Sequence, residues 1–142
     1  MTSKDRYHEI QDFCQFLDAL YETYCKHVNA QVKIVLFGFS QGCATIWRWV
    51  HASKPRFDYL INWSGTIPED ITYNHLSTYL ENKELFLRYG ISDQFITEKV
   101  VKELGMLIKQ NELKVDIASF EGGHRVLREE LSALVKEKIE AG

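Results

Sequence analysis

A ten-residue stretch, Lys33-Ile34-Val35-Leu36-Phe37-Gly38-Phe39-Ser40-Gln41-Gly42, constrains this chain more than any other. It is a short apolar run that ends in Gly-x-Ser-x-Gly and continues into helix-compatible sequence. Apolar residues at adjacent rather than alternating positions predict a strand buried on both faces, the pattern of a parallel sheet covered by helices. The glycines permit a very tight turn, and a serine at its apex presents its hydroxyl outward. The stretch therefore predicts both a layered architecture and one candidate nucleophile, Ser40.

The rest of the chain alternates around it. Thr2 and Ser3 are N-cap residue types. Ile10, Phe13, Cys14, Leu17, Leu20, Tyr21 and Tyr24 recur at three- and four-residue steps, which predicts an amphipathic helix over about residues 4–26. The first strand is expected at Val32–Phe37. Gly42-Cys43-Ala44 opens a helix that runs to about Ala52, where Ser53-Lys54-Pro55 stops it, its small residues packing tightly on the strand it leaves. Further strands are expected at Phe57–Trp63, Glu84–Tyr89 and Leu113–Phe120. In the last of these Val115 and Ile117 alternate with polar residues, so it has a wetter face or lies at a sheet edge. Helices are expected at His75–Glu81 (short), Thr97–Asn111 and Glu129–Ala141. Strands alternating with helices predict right-handed crossovers and an α/β/α three-layer fold, with a mostly parallel sheet of about four strands, as one domain over residues 1–142.

Composition narrows the function classes. The 142 residues are 45% apolar and 26% charged, as in a globular protein with a normal core. The net charge of −3 and the lack of a basic cluster argue against a nucleic-acid partner. No apolar run reaches the roughly 18 residues that span a bilayer, so no stable membrane insertion is expected. The polar start, Met1-Thr2-Ser3-Lys4-Asp5-Arg6, has no signal-peptide core behind it. Cys14, Cys25 and Cys43 are odd in number and include no Cys-x-x-Cys pair, which reads as free thiols in a reducing, cytoplasmic compartment rather than as disulfides or a zinc site.

Three polar residues fall just past strand ends: Ser40 after the first strand, Asp93 after the third and His124 after the fourth. Chemistry gathers at this edge of a parallel sheet. Serine is a weak nucleophile that needs a base beside it. His124 would take the Ser40 proton and return it to a leaving group, and Asp93 would fix the imidazole tautomer. The backbone N–H of Gln41, at a helix start, would face a developing oxyanion. Each residue also has a structural reading: a plain strand–helix turn at Ser40, a cap near Ile96 for Asp93, a surface-loop histidine at 124. Asp58 and Asp116 are rival acids, but one precedes its strand and the other lies within one. His8, His27, His51 and His75 have no partner at metal-ligand spacing, and Trp47, Trp49 and Trp63 read as core.

Gly38-Phe39-Ser40-Gln41-Gly42, Gly90-Ile91-Ser92-Asp93 and Phe120-Glu121-Gly122-Gly123-His124 resemble the carboxylesterase/lysophospholipase/acyl-protein thioesterase branch of the α/β-hydrolases. The resemblance runs from the first helix to the last. It implies hydrolysis of small or medium acyl esters, or of thioesters, through an acyl-enzyme, with no cofactor and no metal. It also implies that the elbow strand is the fifth of eight, preceded by a His-Gly loop that supplies a second oxyanion donor. Residues 1–31 hold one helix and neither that loop nor an earlier strand, so Met1 reads as a family-internal methionine. Losing one oxyanion donor costs about 10²–10³ in kcat, so weak or absent esterase activity is the expectation, and a non-catalytic dimeric interaction module is the alternative to an active hydrolase. The Val32–Phe37 strand is left with one unpaired edge, guarded by Lys33 alone, which predicts a twofold homodimer joining two four-stranded sheets.

Overall fold

The computed structural model describes residues 2–140. Its elements are α1 (Ser3–Tyr24), β1 (Val35–Phe39), α2 (Gln41–Ser53), β2 (Tyr59–Trp63), α3 (Ser77–Leu80), β3 (Glu84–Gly90), α4 (Glu98–Gln110), β4 (Val115–Phe120) and α5 (Arg128–Leu134), which continues as a π-helical stretch, Val135–Glu140. The four strands form one parallel sheet in the order β1-β2-β3-β4. This is the expected α/β architecture. Ala141, in the expected closing helix, lies outside the described residues.

Local chemistry sets the boundaries. Thr2 caps α1 through a capping box with Asp5: the Asp5 N–H donates to Thr2 Oγ1 at 3.1 Å. Thr97 caps α4 in the same sense, accepting from the Val100 N–H. Lys54 ends α2 with φ +44°, so the chain reverses before Pro55.

The core divides by sheet face. Leu60, Leu85 and Leu87 meet Trp47 and Val50 of α2 and Leu104 and Ile108 of α4. Cys14, Leu17 and Tyr21 of α1 pack on the same cluster. On the opposite face Tyr59, Ile61, Trp63, Phe86 and Phe120 meet Leu134, with Leu131 and Ile139 beside it. Helices therefore cover both faces, and β2 is buried along its whole length. Its one polar residue, Asn62, is fully buried and satisfied: it accepts from Trp47 Nε1 at 2.8 Å and donates to the Phe86 carbonyl at 3.1 Å.

One expectation is corrected. The elbow strand is not buried on both faces. It begins at Val35 rather than Val32 and, at the expected sheet edge, exposes Val35, Phe37 and Phe39. These three share one face, which α5 leaves uncovered over β1. Leu36 and Gly38, on the other face, are covered. The apolar run reports a strand placed for burial, but not what buries it. By contrast β4, with its alternating pattern, is the opposite edge, as expected. Among the described residues no helix is long and apolar enough to cross a membrane.

Removing the Asn62 amide tests how far the buried polar link steadies the sheet. Asn62→Ala leaves the Trp47 N–H buried without an acceptor, and is expected to lower unfolding free energy by about 1–3 kcal/mol. Urea denaturation of the two proteins checks this; an unchanged midpoint counts against it.

Candidate active site

The site is built by three turns at the carboxyl end of the sheet. The first joins β1 to α2. Ser40 sits there with φ +58° and ψ −121°, a backbone conformation that is strained for a residue with a Cβ. Close packing holds it. The Ser40 N–H donates to the Trp63 carbonyl at 2.9 Å, and the Cys43 N–H donates to the Ser40 carbonyl at 3.1 Å. A Cβ at Gly38 would meet the Cys43 backbone at 2.9 Å, and one at Gly65 would collide with the Ser40 carbonyl and Cys43 Sγ. Glycine is therefore required at 38 and 65 by space. At Gly42 a Cβ would meet nothing within 4 Å, so the tight packing expected of the helix start comes from Cys43 instead. Burial pushes the Cys43 thiol up to about 12, so it stays protonated, its Sγ 3.2 Å from the Gly38 carbonyl. It fills the space under the elbow.

The second and third turns are pressed together. β3 and β4 end in register at Gly90 and Phe120. Beyond them the Ile91 N–H donates to the Phe120 carbonyl and the Ser92 N–H to the Gly122 carbonyl, both at 2.9 Å. A Cβ on Gly90 would run into the Gly122 and Gly123 carbonyls, and Gly122 itself has φ +153°. The Gly-Gly turn thus lies directly on the end of β3, which brings His124 to Asp93.

The geometry joins all three residues singled out in the sequence. His124 Nδ1 is 2.8 Å from Asp93 Oδ2, and His124 Nε2 is 2.9 Å from Ser40 Oγ. A carboxylate can only accept, so Nδ1 carries the proton and Nε2 is left to accept from the Ser40 hydroxyl. The Asp93 side chain is fully buried. Its other oxygen, Oδ1, accepts from the N–H groups of Phe95 at 2.7 Å and Ile96 at 3.1 Å. Asp93 thus caps the turn at Phe95–Ile96 through one oxygen and faces the imidazole through the other. Burial raises its pKa, but the hydrogen bonds from His124, Phe95 and Ile96 outweigh burial and hold the carboxyl below its ordinary 3.8. Gln41 is the first residue of α2, where a backbone N–H has no intrahelical acceptor.

The rival acids are engaged elsewhere. Asp58 accepts from the Ile34 N–H at 2.8 Å, and Asp116 pairs with Arg88 and Lys138. Two aromatic residues at the site escaped the sequence reading. The Phe39 and Phe95 rings lie 5.1 and 4.7 Å from the His124 ring, centroid to centroid. Their only signal was adjacency, one residue before Ser40 and two after Asp93. Trp63 was read as core, and it is; its indole Nε1 also donates to the Arg125 carbonyl at 3.0 Å, tying the His124 loop to β2. A surface cleft of about 410 Å³ beside Arg6, Arg48 and Leu104 contains none of these residues. Among the described residues no group of three or more His, Cys, Asp or Glu is placed to hold a metal ion.

A phospholipase/carboxylesterase family model matches residues 2–140. No curated protein matches. Among solved structures, a Zea mays acyl-protein thioesterase 2 is similar at 19% identity and a TM-score of 0.60, over 89% of this chain and 60% of its own. A Bacillus cereus carboxylesterase is similar at 15% identity and a TM-score of 0.68, over 100% of this chain and 64% of its own. Arabidopsis thaliana SOBER1 is similar at 16% identity and a TM-score of 0.67, over 96% and 64%. At these identities the structural likeness is one of fold. The chain spans 60–64% of the length of these structures.

The Asp93 network has a pH signature. A carboxyl whose folded pKa lies below its unfolded value contributes stability that is present above the unfolded value, near 3.8, and is lost as pH falls through the folded value. Asp93→Asn removes that contribution. The stability gap between the native protein and this variant is therefore expected to be constant above about pH 5 and to shrink steadily below pH 4. Denaturation at a series of pH values measures it, and a gap that widens on acidification reverses the assignment.

Proposed function

This chain belongs to the phospholipase/carboxylesterase family, and from that premise we propose that it is a serine hydrolase of carboxylic esters, with Ser40 as nucleophile, His124 as base and Asp93 as its orienting acid. The observation that carries the proposal is the continuous hydrogen-bonded relay from Asp93 Oδ2 through the imidazole to Ser40 Oγ, on a serine held in a strained turn. Such strain costs of order 1–3 kcal/mol and persists where the surroundings impose it.

The chemistry follows from the atoms. Ser40 Oγ attacks the acyl carbonyl as its proton passes to His124 Nε2. The imidazolium that forms faces the ionised Asp93, which stabilises it. Negative charge develops on the former carbonyl oxygen. The Gln41 N–H, at the positive end of the α2 dipole, is the donor this chain offers to it. Collapse breaks the bond to the leaving group, which takes the proton from His124. A water molecule, deprotonated by the same imidazole, then attacks the acyl-serine; the acyl–Oγ bond breaks, His124 returns the proton to Ser40 Oγ, and the acid is freed. The relatives named above include both a thioesterase and a carboxylesterase, and the same steps expel an alkoxide or a thiolate. An oxygen ester of small or medium acyl length is the substrate class proposed.

A fluorophosphonate probe tests the nucleophile directly. Covalent labelling of the folded protein is expected, mapped by mass spectrometry to Ser40 and abolished in Ser40→Ala. With p-nitrophenyl butyrate, turnover is expected to be weak, since the chain offers one oxyanion donor, and Asp93→Asn is expected to lower kcat further, by up to about 10³–10⁴. A folded protein that takes no label supports a non-catalytic interaction module instead.

A further inference from the structure

Trp63 reaches the turn of the nucleophile and the loop of the base at once. It ends β2, in register with Phe39 on one side and Arg88 on the other, and it is fully buried, out of reach of any substrate. Its carbonyl accepts the Ser40 N–H at 2.9 Å. Its indole Nε1 donates to the Arg125 carbonyl at 3.0 Å, across 62 residues of sequence. The ring is held by Phe120, stacked on it at 5.3 Å, and by Phe37, tilted against it at 6.3 Å. The loop that carries His124 has few other ties. Before the histidine, the Gly122 carbonyl takes the Ser92 N–H at 2.9 Å. Past it, the Arg125 N–H closes back onto the Gly123 carbonyl at 2.9 Å, within the loop itself. Among the described residues, the indole is the one donor from another part of the fold that reaches the backbone between His124 and α5. A leucine could fill apolar space here but could not make that bond. A buried indole N–H needs an acceptor, so ring and carbonyl fix each other's position.

We propose that Trp63 is a positioning residue for His124: its indole N–H holds the histidine loop at the distance from the elbow at which Nε2 meets Ser40 Oγ. The inference rests on the reading of Ser40, His124 and Asp93 as a catalytic triad, and deepens it. Both bonds leave from one buried residue, so the elbow and the histidine loop share a single reference. Asp93 holds the imidazole at Nδ1, which leaves the Nε2 end to be set by where the loop backbone lies. Nε2 and Oγ are 2.9 Å apart, within reach for proton transfer. A misplacement of about 1 Å at such a contact can cost about 10²-fold in rate.

Trp63→Phe keeps the backbone carbonyl and an aromatic ring and removes the N–H. Benzothienylalanine placed at position 63 keeps the bicyclic shape, with sulfur where the N–H was, and serves should the phenylalanine variant fold poorly. Leu134→Ala, in the same apolar cluster, lowers stability without touching the bond. The rate of fluorophosphonate labelling at Ser40, per folded molecule, is expected to fall about 10–100-fold in the two position-63 variants and to hold at the native rate in Leu134→Ala. Nitrogen-resolved NMR of the His124 ring is read alongside. Loss of the N–H at 63 is expected to shift or broaden the Nε2 signal while the proton stays on Nδ1, which a purely structural role for Trp63 would not do. An unmoved Nε2 signal, or equal labelling of native protein and variants, overturns the proposal. So does a fall in Leu134→Ala as large as theirs. A native protein that takes no label overturns the triad reading instead, and the Nε2 signal alone then decides the positioning.

Discussion

The strained backbone of Ser40 is the constraint on which the rest of the site depends. A residue with a Cβ adopts φ +58° at a strand–helix junction only where its neighbours leave no alternative. Those neighbours come from β2 and its turn. The Trp63 carbonyl takes the Ser40 N–H, Gly65 leaves room for the Ser40 carbonyl, and Cys43 fills the volume beneath. Ser64, next to Trp63, also has a left-handed φ of +54°. Two adjacent parallel strands therefore end in matched tight turns, and each turn needs the other's shape.

The second constraint is the contact between the ends of β3 and β4. A buried carboxylate is expensive unless its charge is met by donors. Asp93 meets the cost with three: two backbone N–H groups on one oxygen and the imidazole on the other. The backbone donors fix the carboxylate independently of the histidine, so the orientation of the imidazole is tied to a local turn. The other end of the imidazole is reached through Trp63. Its carbonyl holds the elbow and its indole N–H holds the carbonyl of Arg125, one residue past His124. One residue thus spans the two loops that must agree for Nε2 and Oγ to meet.

The sequence was legible where chemistry is local. Gly-x-Ser-x-Gly, Gly-Gly-His and an aspartate after Gly-Ile-Ser mark turns whose geometry is set by the residues inside them, and the Thr2 and Thr97 caps follow from side chains three positions away. Strand alternation in the fourth strand correctly marked a sheet edge. What could not be read depends on partners distant in sequence. The need for glycine at 65 and 90 comes from carbonyls of Ser40 and Gly122–Gly123. The approach of Phe39 and Phe95 to His124 depends on three loops folding together. The apolar run at 32–37 misled in a specific way: hydropathy records what surface a strand has to bury, and says nothing of whether the burying element is at hand.

That last point bears on the elbow itself. Every hydrogen bond that holds Ser40 in its turn is made either within the turn or to β2. Among the described residues none comes from the other side of β1. A buried parallel strand is ordinarily clamped by two neighbours, and its terminal turn inherits that rigidity. Among the described residues the nucleophile is mounted on an edge strand, and within them the precision of Oγ relative to Nε2 rests on the β2 side. The packing that supplies it is dense: Cys43 and Trp63 are both fully buried, and the Phe37 and Trp63 rings lie 6.3 Å apart. Whatever covers the outer edge of β1 adds a second clamp to the strand that carries Ser40. The outer edge of β1 reaches the nucleophile through five residues of backbone.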